Sequence, residues 1–471
     1  MTTIRMRCYL LAIRCLRTKC CVIFALFSFI FLLGRMYQLR RYQIFSSMLK
    51  KHEDVSINVF TNLSKSRHFT AGMFLQNFVP QNFSYCKYRF GLPKTLEINE
   101  SDIEFPPELR EESDYRIIYN IVEPAYNTTK YDNNVTYCTH ATPEFFYYLA
   151  EILYRWEGPV SIATFVPSTD ATLILCILDR LCSCLPDMVR VSLHFVFPSK
   201  YAPKLLSCPP SIADTPSCIV PKIIVNKNIQ TFRYSEELTY PVNVARNAAR
   251  VQSLTKYTLV SDVELLPSRN LVTNFMKMVN ALEKNSKFGL QEFVNRLVYV
   301  LPVFEVQSNE IVPEVKSKLL ELYSQNQAFY FHRWVCSHCQ RFPGLQRWLL
   351  KKSKVLDNTI QPFFVVRREF PFHRWEPVFI GTNSEPLYSE LLTWEGQQDK
   401  MTQMHEMCLM KYHFVILDGA FMVHSPGVKR KVDVLRDSWR NFQQKKNSFY
   451  YDLIMKNINE KQKKNSRCKI H

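Results

Sequence analysis

The stretch Tyr257-Thr-Leu-Val-Ser-Asp-Val-Glu-Leu-Leu-Pro267 frames the reading of the whole chain. Its first four residues, Tyr257–Val260, predict a short buried strand. Ser261-Asp262-Val263-Glu264 follow, then Leu265-Leu266-Pro267. Asp262 and Glu264 stand at i and i+2, a spacing that puts both carboxylates on one side of an extended chain. They would sit at the carboxyl end of a strand, where open α/β sheets bind ligands. Two carboxylates there repel each other unless a cation stands between them, and oxygen-rich sites suit Mn²⁺ or Mg²⁺. A strand that closes in a polar turn accounts for the same residues, so the motif by itself leaves both readings open.

The segments around it supply the fold class. Val160–Val166 is a β-rich run closed by Pro167, and Ala171–Leu185 has helical character. Val189–Phe197 alternates and is closed by Pro198, and Lys222–Val225 is a short apolar strand. Val242–Leu254 and Leu271–Leu282 predict helices, and Arg296–Val306 a strand. Strands alternating with helices mean an α/β unit with a mostly parallel sheet.

The 471 residues hold only ten glycines, and the closest two, Gly419 and Gly427, are eight apart. Average usage is about 7%. No G-x-G-x-x-G and no G-x-x-x-x-G-K-[ST] can be written, which excludes glycine-cradled phosphate sites in their standard form. A nucleotide bound here needs another grip on its phosphates.

Net charge is +18, of which residues 1–51 carry +10 and residues 426–471 carry +9, so the body between them carries −1. A nucleic-acid-binding domain would be expected to carry its charge on the folded body, and no nucleic acid is expected as a partner. The basic C-terminal segment reads most simply as a solvated tail. Cys20–Leu33 is an uncharged apolar run with five cationic residues before it. It is short for a span of about 20 residues. No small-x-small cleavage site follows, so an uncleaved type II signal-anchor is expected, with the body luminal. Sequons at Asn62, Asn82, Asn99, Asn127 and Asn134 cluster just after it, as in a glycosylated stem. Eleven cysteines follow the anchor, and in an oxidising lumen most should pair, with at least one left over. Cys336-x-x-Cys339 reads as disulfide chemistry rather than zinc, because no second ligand pair stands at a suitable distance.

Four ordered stretches, Tyr240–Arg250 (YPVNVARNAAR), Ser261–Pro267 (SDVELLP), Tyr299–Val306 (YVLPVFEV) and Trp375–Val428, carry a resemblance. Together the chain resembles the GT-A-fold nucleotide-sugar transferases of glycosyltransferase family 49. That family contains a β-1,4-glucuronyltransferase and the second, glucuronyltransferase domain of the matriglycan synthases. The resemblance implies residues 1–19 as cytoplasmic tail, 20–34 as anchor, 35–140 as glycosylated stem and N-terminal subdomain, 141–431 as catalytic domain and 432–471 as basic tail. It implies a Golgi single-pass type II membrane enzyme acting on a UDP-sugar donor and a glycan acceptor on glycoproteins. UDP-glucuronate to xylose in β-1,4 linkage is the leading expectation. Transfer of N-acetylglucosamine in β-1,3 linkage, or a catalytically silent glycan-binding relative, are the alternatives.

Residue by residue, the resemblance implies Asp262, Glu264 and His424 as ligands of Mn²⁺ or Mg²⁺. Glu264 stands where the family often has Asp, one methylene shorter. Arg246 and Arg250 share a helix face at i, i+4 and, with Asn243 and Asn247, are expected either to contact the donor or to form helix-surface ion pairs. An inverting transfer needs a carboxylate within reach of the acceptor hydroxyl. Asp399 is the first candidate and Glu395 the second, with Glu390 also in the segment. That segment, Tyr388–Lys400, departs from the family pattern D-E-R-F-x-G-Y-G-x-[ND]-K at several positions. Trp394 and Gly396 lie in the same expected acceptor loop.

Overall fold

The structure, a computed structural model, describes residues 81–469 except 82, 92, 94–95, 125–133, 214–217, 219–228, 285–295, 352–358, 426 and 431–433, with the side chains of 434–441 also left aside. The expected anchor at 20–34, the sequons at Asn62, Asn82 and Asn127 and the strand expected at Lys222–Val225 lie outside these residues. Among the described residues no helix is long and apolar enough to cross a membrane.

Fifteen strands are described in chain order: β1 (Lys87–Tyr88), β2 (Ile103–Glu104), β3 (Tyr115–Glu123), β4 (Val135–Ala141), β5 (Val160–Phe165), β6 (Val191–Pro198), β7 (Tyr257–Val260), β8 (Leu265–Pro267), β9 (Leu297–Leu301), β10 (Val303–Val306), β11 (Ala328–Tyr330), β12 (Gln361–Val366), β13 (Val378–Gly381), β14 (His413–Asp418) and β15 (Met422–His424). The main sheet runs β1-β3-β6-β5-β4-β7-β13-β9-β14-β12, with β2 on β3. Its centre, β6-β5-β4-β7, is parallel, and antiparallel strands flank it on both sides. β4 and β5 are buried at every position, as expected for parallel strands covered on both faces. This is the α/β architecture expected of a GT-A-like fold.

Three helices explain most of that cover. On one face, α1 (Leu149–Arg155) and α2 (Asp170–Cys184) pack Leu149, Ile152, Ile174 and Leu178 into the main core. On the other lies α3 (Val242–Val251). Its Val244, Ala245, Ala248 and Ala249 form a small-residue stripe at helical spacing, which lets the helix lie close over Cys138, Ala163 and Val196. Its opposite stripe, Asn243, Arg246, Asn247 and Arg250, is also buried, because the loop 382–399 covers it.

A second sheet, β11-β10-β15-β8, positions the end of the Asp262–Glu264 turn. β15 pairs antiparallel with β8, with His424 opposite Leu265. The strand expected to run unbroken over Arg296–Val306 is in fact two strands. Pro302 has no N–H to donate to a ladder, and there the chain passes from β9 in the main sheet to β10 in the small one. The Pro302 carbonyl accepts from Met422 N–H at 2.9 Å.

Both ends of the expected catalytic unit move. β3 and β4 fall inside the segment 35–140 expected as stem and subdomain, yet β4 sits at the centre of the parallel block. At the other end, the expected solvated tail contains the helix α4 (Val434–Lys461). Tyr451 and Met455 pack on Leu392 and Met401, and Ile458 and Cys468 pack on Cys408 and Leu409. Each of these buried apolar side chains contributes on the order of 2 kcal/mol. A Cys408–Cys468 disulfide ties the segment down. The other pairs are Cys86–Cys182, Cys176–Cys208, Cys184–Cys218 and Cys336–Cys339. Cys138 is the cysteine left over, buried in β4.

Candidate active site

β4 and β7 are parallel neighbours, with Cys138 opposite Val260, so they deliver their next residues to one edge of the sheet. His140 comes from β4 and Asp262 from the turn after β7. His140 Nε2 lies 3.1 Å from Asp262 Oδ1, and His140 Nδ1 lies 2.7 Å from the Tyr240 hydroxyl. Arg246 Nη2 donates to Asp262 Oδ1 at 2.8 Å, and Lys400 Nζ donates to Oδ2 at 3.1 Å. Burial alone would raise the Asp262 carboxyl, but Lys400 and Arg246 outweigh it and hold it well below the usual carboxylate range. Burial lowers the His140 imidazole and keeps it neutral.

Arg246 is a fork. Its second arm, Nη1, donates to Asp399 and, at 2.9 Å, to Asn243 Oδ1. Asn243 Nδ2 in turn donates to the Ser389 and Asp399 carbonyls at 2.9 and 2.8 Å. One buried guanidinium thus bridges the two carboxylates that sequence reasoning assigned to separate tasks. A planar donor set suits such bridging, whereas a point charge does not. Just before Asp399, Gln397 and Gln398 both take left-handed backbone (φ 62° and 57°). Two successive residues of this kind are costly for side-chain-bearing residues, and such strain concentrates at functional sites.

The remaining expected site residues divide. Asn247 bonds the Tyr388 carbonyl and Glu390 Oε1 at 2.8 and 2.9 Å. Arg250 donates to the carbonyls of Pro386, Thr382 and Glu385. Both stitch α3 to the loop above it, and both are buried, so they are not surface ion pairs. Glu395 has no solvent exposure; it accepts from Arg233 Nη2 at 2.8 Å and from Tyr240 N–H. Glu390 is buried and accepts from the Leu109 N–H and from Asn247. Asp399 keeps 18% of its side chain exposed. Gly396 is where α4 docks: a Cβ there would stand 2.0 Å from Asn447 Cγ.

Glu264 and His424 come together, with Oε2 and Nε2 3.8 Å apart, because the β8–β15 pairing sets them side by side. The Glu264 carbonyl accepts from Ser425 N–H at 3.0 Å. His424 is buried, and its Nδ1 has no hydrogen-bond partner among the described residues. Asp262, turned toward Arg246 and Lys400, is not drawn into one tight cluster with them. Among the described residues only Cys336, His338 and Cys339 bring three ligand atoms within 4.8 Å of one another, and those two cysteines are a disulfide. As a donor set, two half-buried carboxylates and an imidazole with a free, buried nitrogen fit a hard divalent cation.

Three participants were missed in the sequence. His140 lies in the segment taken for stem. Lys400 closes a quoted motif but was not singled out. Glu376, beside Trp375, is pushed up to about 7 by burial, with Lys400 opposing and Asp399 adding to the shift. Such neighbours place it in the same electrostatic field as the Arg246 fork.

The family described as glycosyl-transferase for dystroglycan matches residues 134–463. The chain belongs to this glycosyltransferase family. The enzyme is 28% identical to β-1,4-glucuronyltransferase 1 of Bos taurus over 318 residues, 66% of this chain and 71% of that protein. It is 26% identical to the Danio rerio protein of the same name over 330 residues, 66% and 72% of the two chains. It is also 28% identical to the xylosyl- and glucuronyltransferase LARGE2 of Mus musculus over 231 residues, 47% of this chain and 30% of that one. The matched span begins at Asn134, one residue before β4, and reaches past α4, in agreement with the extended limits of the folded unit. The chain is a glycosyltransferase.

Proposed function

We propose that the enzyme transfers a sugar from a UDP-sugar to a hydroxyl of a glycan on a glycoprotein, with inversion at the anomeric carbon. The donor and acceptor favoured are UDP-glucuronate and xylose, joined in β-1,4 linkage. The relatives named as glucuronyltransferases support this choice. The observation that carries the reaction class is the Asp262–Arg246–Asp399 bridge with Lys400, set beside Glu264 and His424 at one sheet edge.

Lys400, partly exposed beside Asp262, would offer that edge's positive charge to a diphosphate without any glycine loop, while the buried Arg246 holds the two carboxylates in place. Asp399, oriented by the guanidinium and still open to solvent, is placed as the base. It takes the acceptor hydroxyl proton while the acceptor oxygen bonds the anomeric carbon and the carbon–oxygen bond to UDP breaks. Glu395, closed off by Arg233 and Tyr240, anchors the loop that carries Asp399. Asp262, Glu264 and His424 would hold Mn²⁺ or Mg²⁺, and the ion would neutralise charge on the departing diphosphate. Lys400 and the cation compete for Asp262. Five disulfides and an exposed sequon at Asn99 support a luminal location, and with the apolar run at 20–34 they favour a Golgi type II membrane enzyme.

The test is a screen of UDP-sugars for transfer to xylosides by the purified protein, with Mn²⁺ and after EDTA, repeated on Asp262→Asn and His424→Ala. Mn²⁺ binding is measured in parallel by calorimetry. Mn²⁺-dependent glucuronate transfer, lost with both variants together with Mn²⁺ binding, is the expected result. Turnover undiminished in EDTA or in Asp262→Asn would sink the metal assignment.

A further inference from the structure

A second concavity lies apart from the Asp262 edge. It is a cleft of about 570 Å³ with Arg341, Arg347, Arg374, Phe364, Phe372 and Trp375 in its walls. Its neighbour Glu376 stands in the field of Lys400 and Asp399. The Trp375–Glu376 peptide is fixed. Glu376 N–H donates to the Cys339 carbonyl at 2.8 Å, Gln340 Nε2 donates to the Glu376 carbonyl at 2.7 Å, and Arg368 Nε donates to the Trp375 carbonyl at 2.5 Å.

Two features mark the cleft as built for a ligand. The first is charge. No carboxylate lines it, and among the described residues none of the three arginines has an acidic partner. Burial first, and the Arg374 charge after it, depress both His338 and His373. The second is its floor. Phe372 keeps 37% of its surface exposed there, beside the buried Trp375 and Phe342, and Arg347 lies over the Phe364 ring at 5.8 Å. Gly344, with φ 81°, brings the loop so close to Phe364 that a Cβ would stand 2.7 Å from the ring. The loop carrying Arg341 and Arg347 can take this course only through glycine.

We propose that this cleft binds an anionic sugar of the acceptor glycan, one bearing a carboxylate or a sulfate, away from the reacting hydroxyl. The exposed Phe372 ring suits the apolar C–H side of a pyranose ring, and guanidinium forks match planar or tetrahedral oxyanions. A neutral sugar would leave three guanidinium groups unanswered, and a bare anion would leave the Phe372 ring unused. The proposal rests on the reading of the acceptor as a glycan, but its test does not depend on turnover.

Binding is measured by calorimetry on the full-length protein in EDTA, with no UDP-sugar present. The probes are a glucuronate-containing disaccharide, the same disaccharide with its carboxyl reduced to an alcohol, a sulfated disaccharide, inorganic phosphate and phosphatidylserine vesicles. The glucuronate or the sulfated disaccharide should bind at least about tenfold more tightly than the reduced one, and the stronger of the two identifies the anion. Arg347→Ala/Arg374→Ala and Gly344→Val should each lose that preference. Arg269→Ala, at an arginine paired with Glu314, should keep it. Unfolding temperature and transfer to a monosaccharide acceptor should hold in the double arginine variant. Equal binding of the charged and reduced disaccharides would overturn the proposal. So would binding unchanged in the double variant, or arginine-dependent binding of phosphate alone or of vesicles alone.

Discussion

Replacing Arg246 tests the site most directly, because one side chain holds two carboxylates from distant parts of the chain. Arg246→Met keeps the stem of the side chain and removes the fork. Asp262 would keep Lys400 and His140, and Asp399 would lose its charged partner. Stripping one member from a fully buried ion pair costs about 3–5 kcal/mol. Asp262 and Asp399 keep 35% and 18% of their side chains exposed, so water recovers part of this, and the expected loss is about 2–3 kcal/mol. Unfolding entropy is roughly 2.1 cal/mol/K per residue; for a unit of this size the loss becomes a fall of about 3 °C, well within reach of calorimetry. The deficit should depend on pH in a defined direction. Arg246 helps to hold the Asp262 carboxyl low. Stability drawn from a depressed carboxyl is present above its unfolded-state value, about 4, and is lost as pH falls through the folded one. Wild type and Arg246→Met should therefore differ most at neutral pH and converge below about pH 4. Arg246→Lys keeps the charge but cannot reach both acids, so it should recover less than half of the loss, and transfer should fall with it. An Arg246→Met protein with wild-type unfolding temperature, or Arg246→Lys indistinguishable from wild type, would refute the bridging argument.

Two further outcomes follow from the same region. Gly396→Ala drives a Cβ into Asn447 and breaks its bonds to Thr393 and Gln397, at a cost of about 2–4 kcal/mol. Asn447→Gly in the same chain should return part of it, and protease sensitivity of α4 in the single variant should rise, so an unperturbed single variant would contradict this packing. Glu376→Gln removes a carboxyl that burial raises to about 7. A raised acid destabilises the folded state as pH rises above its unfolded value, about 4.5, and the cost is complete above the folded one, so the variant should be more stable than wild type at pH 8, on the order of 1 kcal/mol, and close to it only at about pH 4. A variant that gains equally at both pH values would show that the charge is not the cause.

Much of the frame was legible because local signals agreed with the fold. Tyr257–Val260 is a strand between the limits its apolar run suggested, and the alternation of small and polar residues on Val242–Val251 announced a helix with two different faces. What escaped was non-local or disguised. Asp399 meets Arg246 across 153 positions, a pairing no spacing encodes. β4 reads Val-Thr-Tyr-Cys-Thr-His-Ala, polar enough to pass for stem beside the sequons, although the Thr136 and Tyr137 hydroxyls and the His140 imidazole find partners inside. Thr136 meets Thr255 at 2.6 Å, and His140 meets Tyr240 and Asp262. The C-terminal segment carries so much basic charge that its apolar stripe of Tyr451, Met455 and Ile458, at i, i+4 and i+7, was hidden. Pro302 was in plain view but was read through, because both of its flanks are strongly β-forming.

The disulfide from Cys408 to Cys468, with Asn447 seated on Gly396, gives the protein an order of assembly. His140, Arg246 and Asp262 leave the ribosome early, and Asn247, Arg250 and Arg233 hold one side of the loop bearing Asp399, but its last clasp, Asn447, arrives later. A premature stop codon anywhere between 425 and 447 would spare the codon of every candidate catalytic and metal-binding residue named above, yet remove the clasp. Loss-of-function truncations are therefore expected well beyond His424, as far as Cys468.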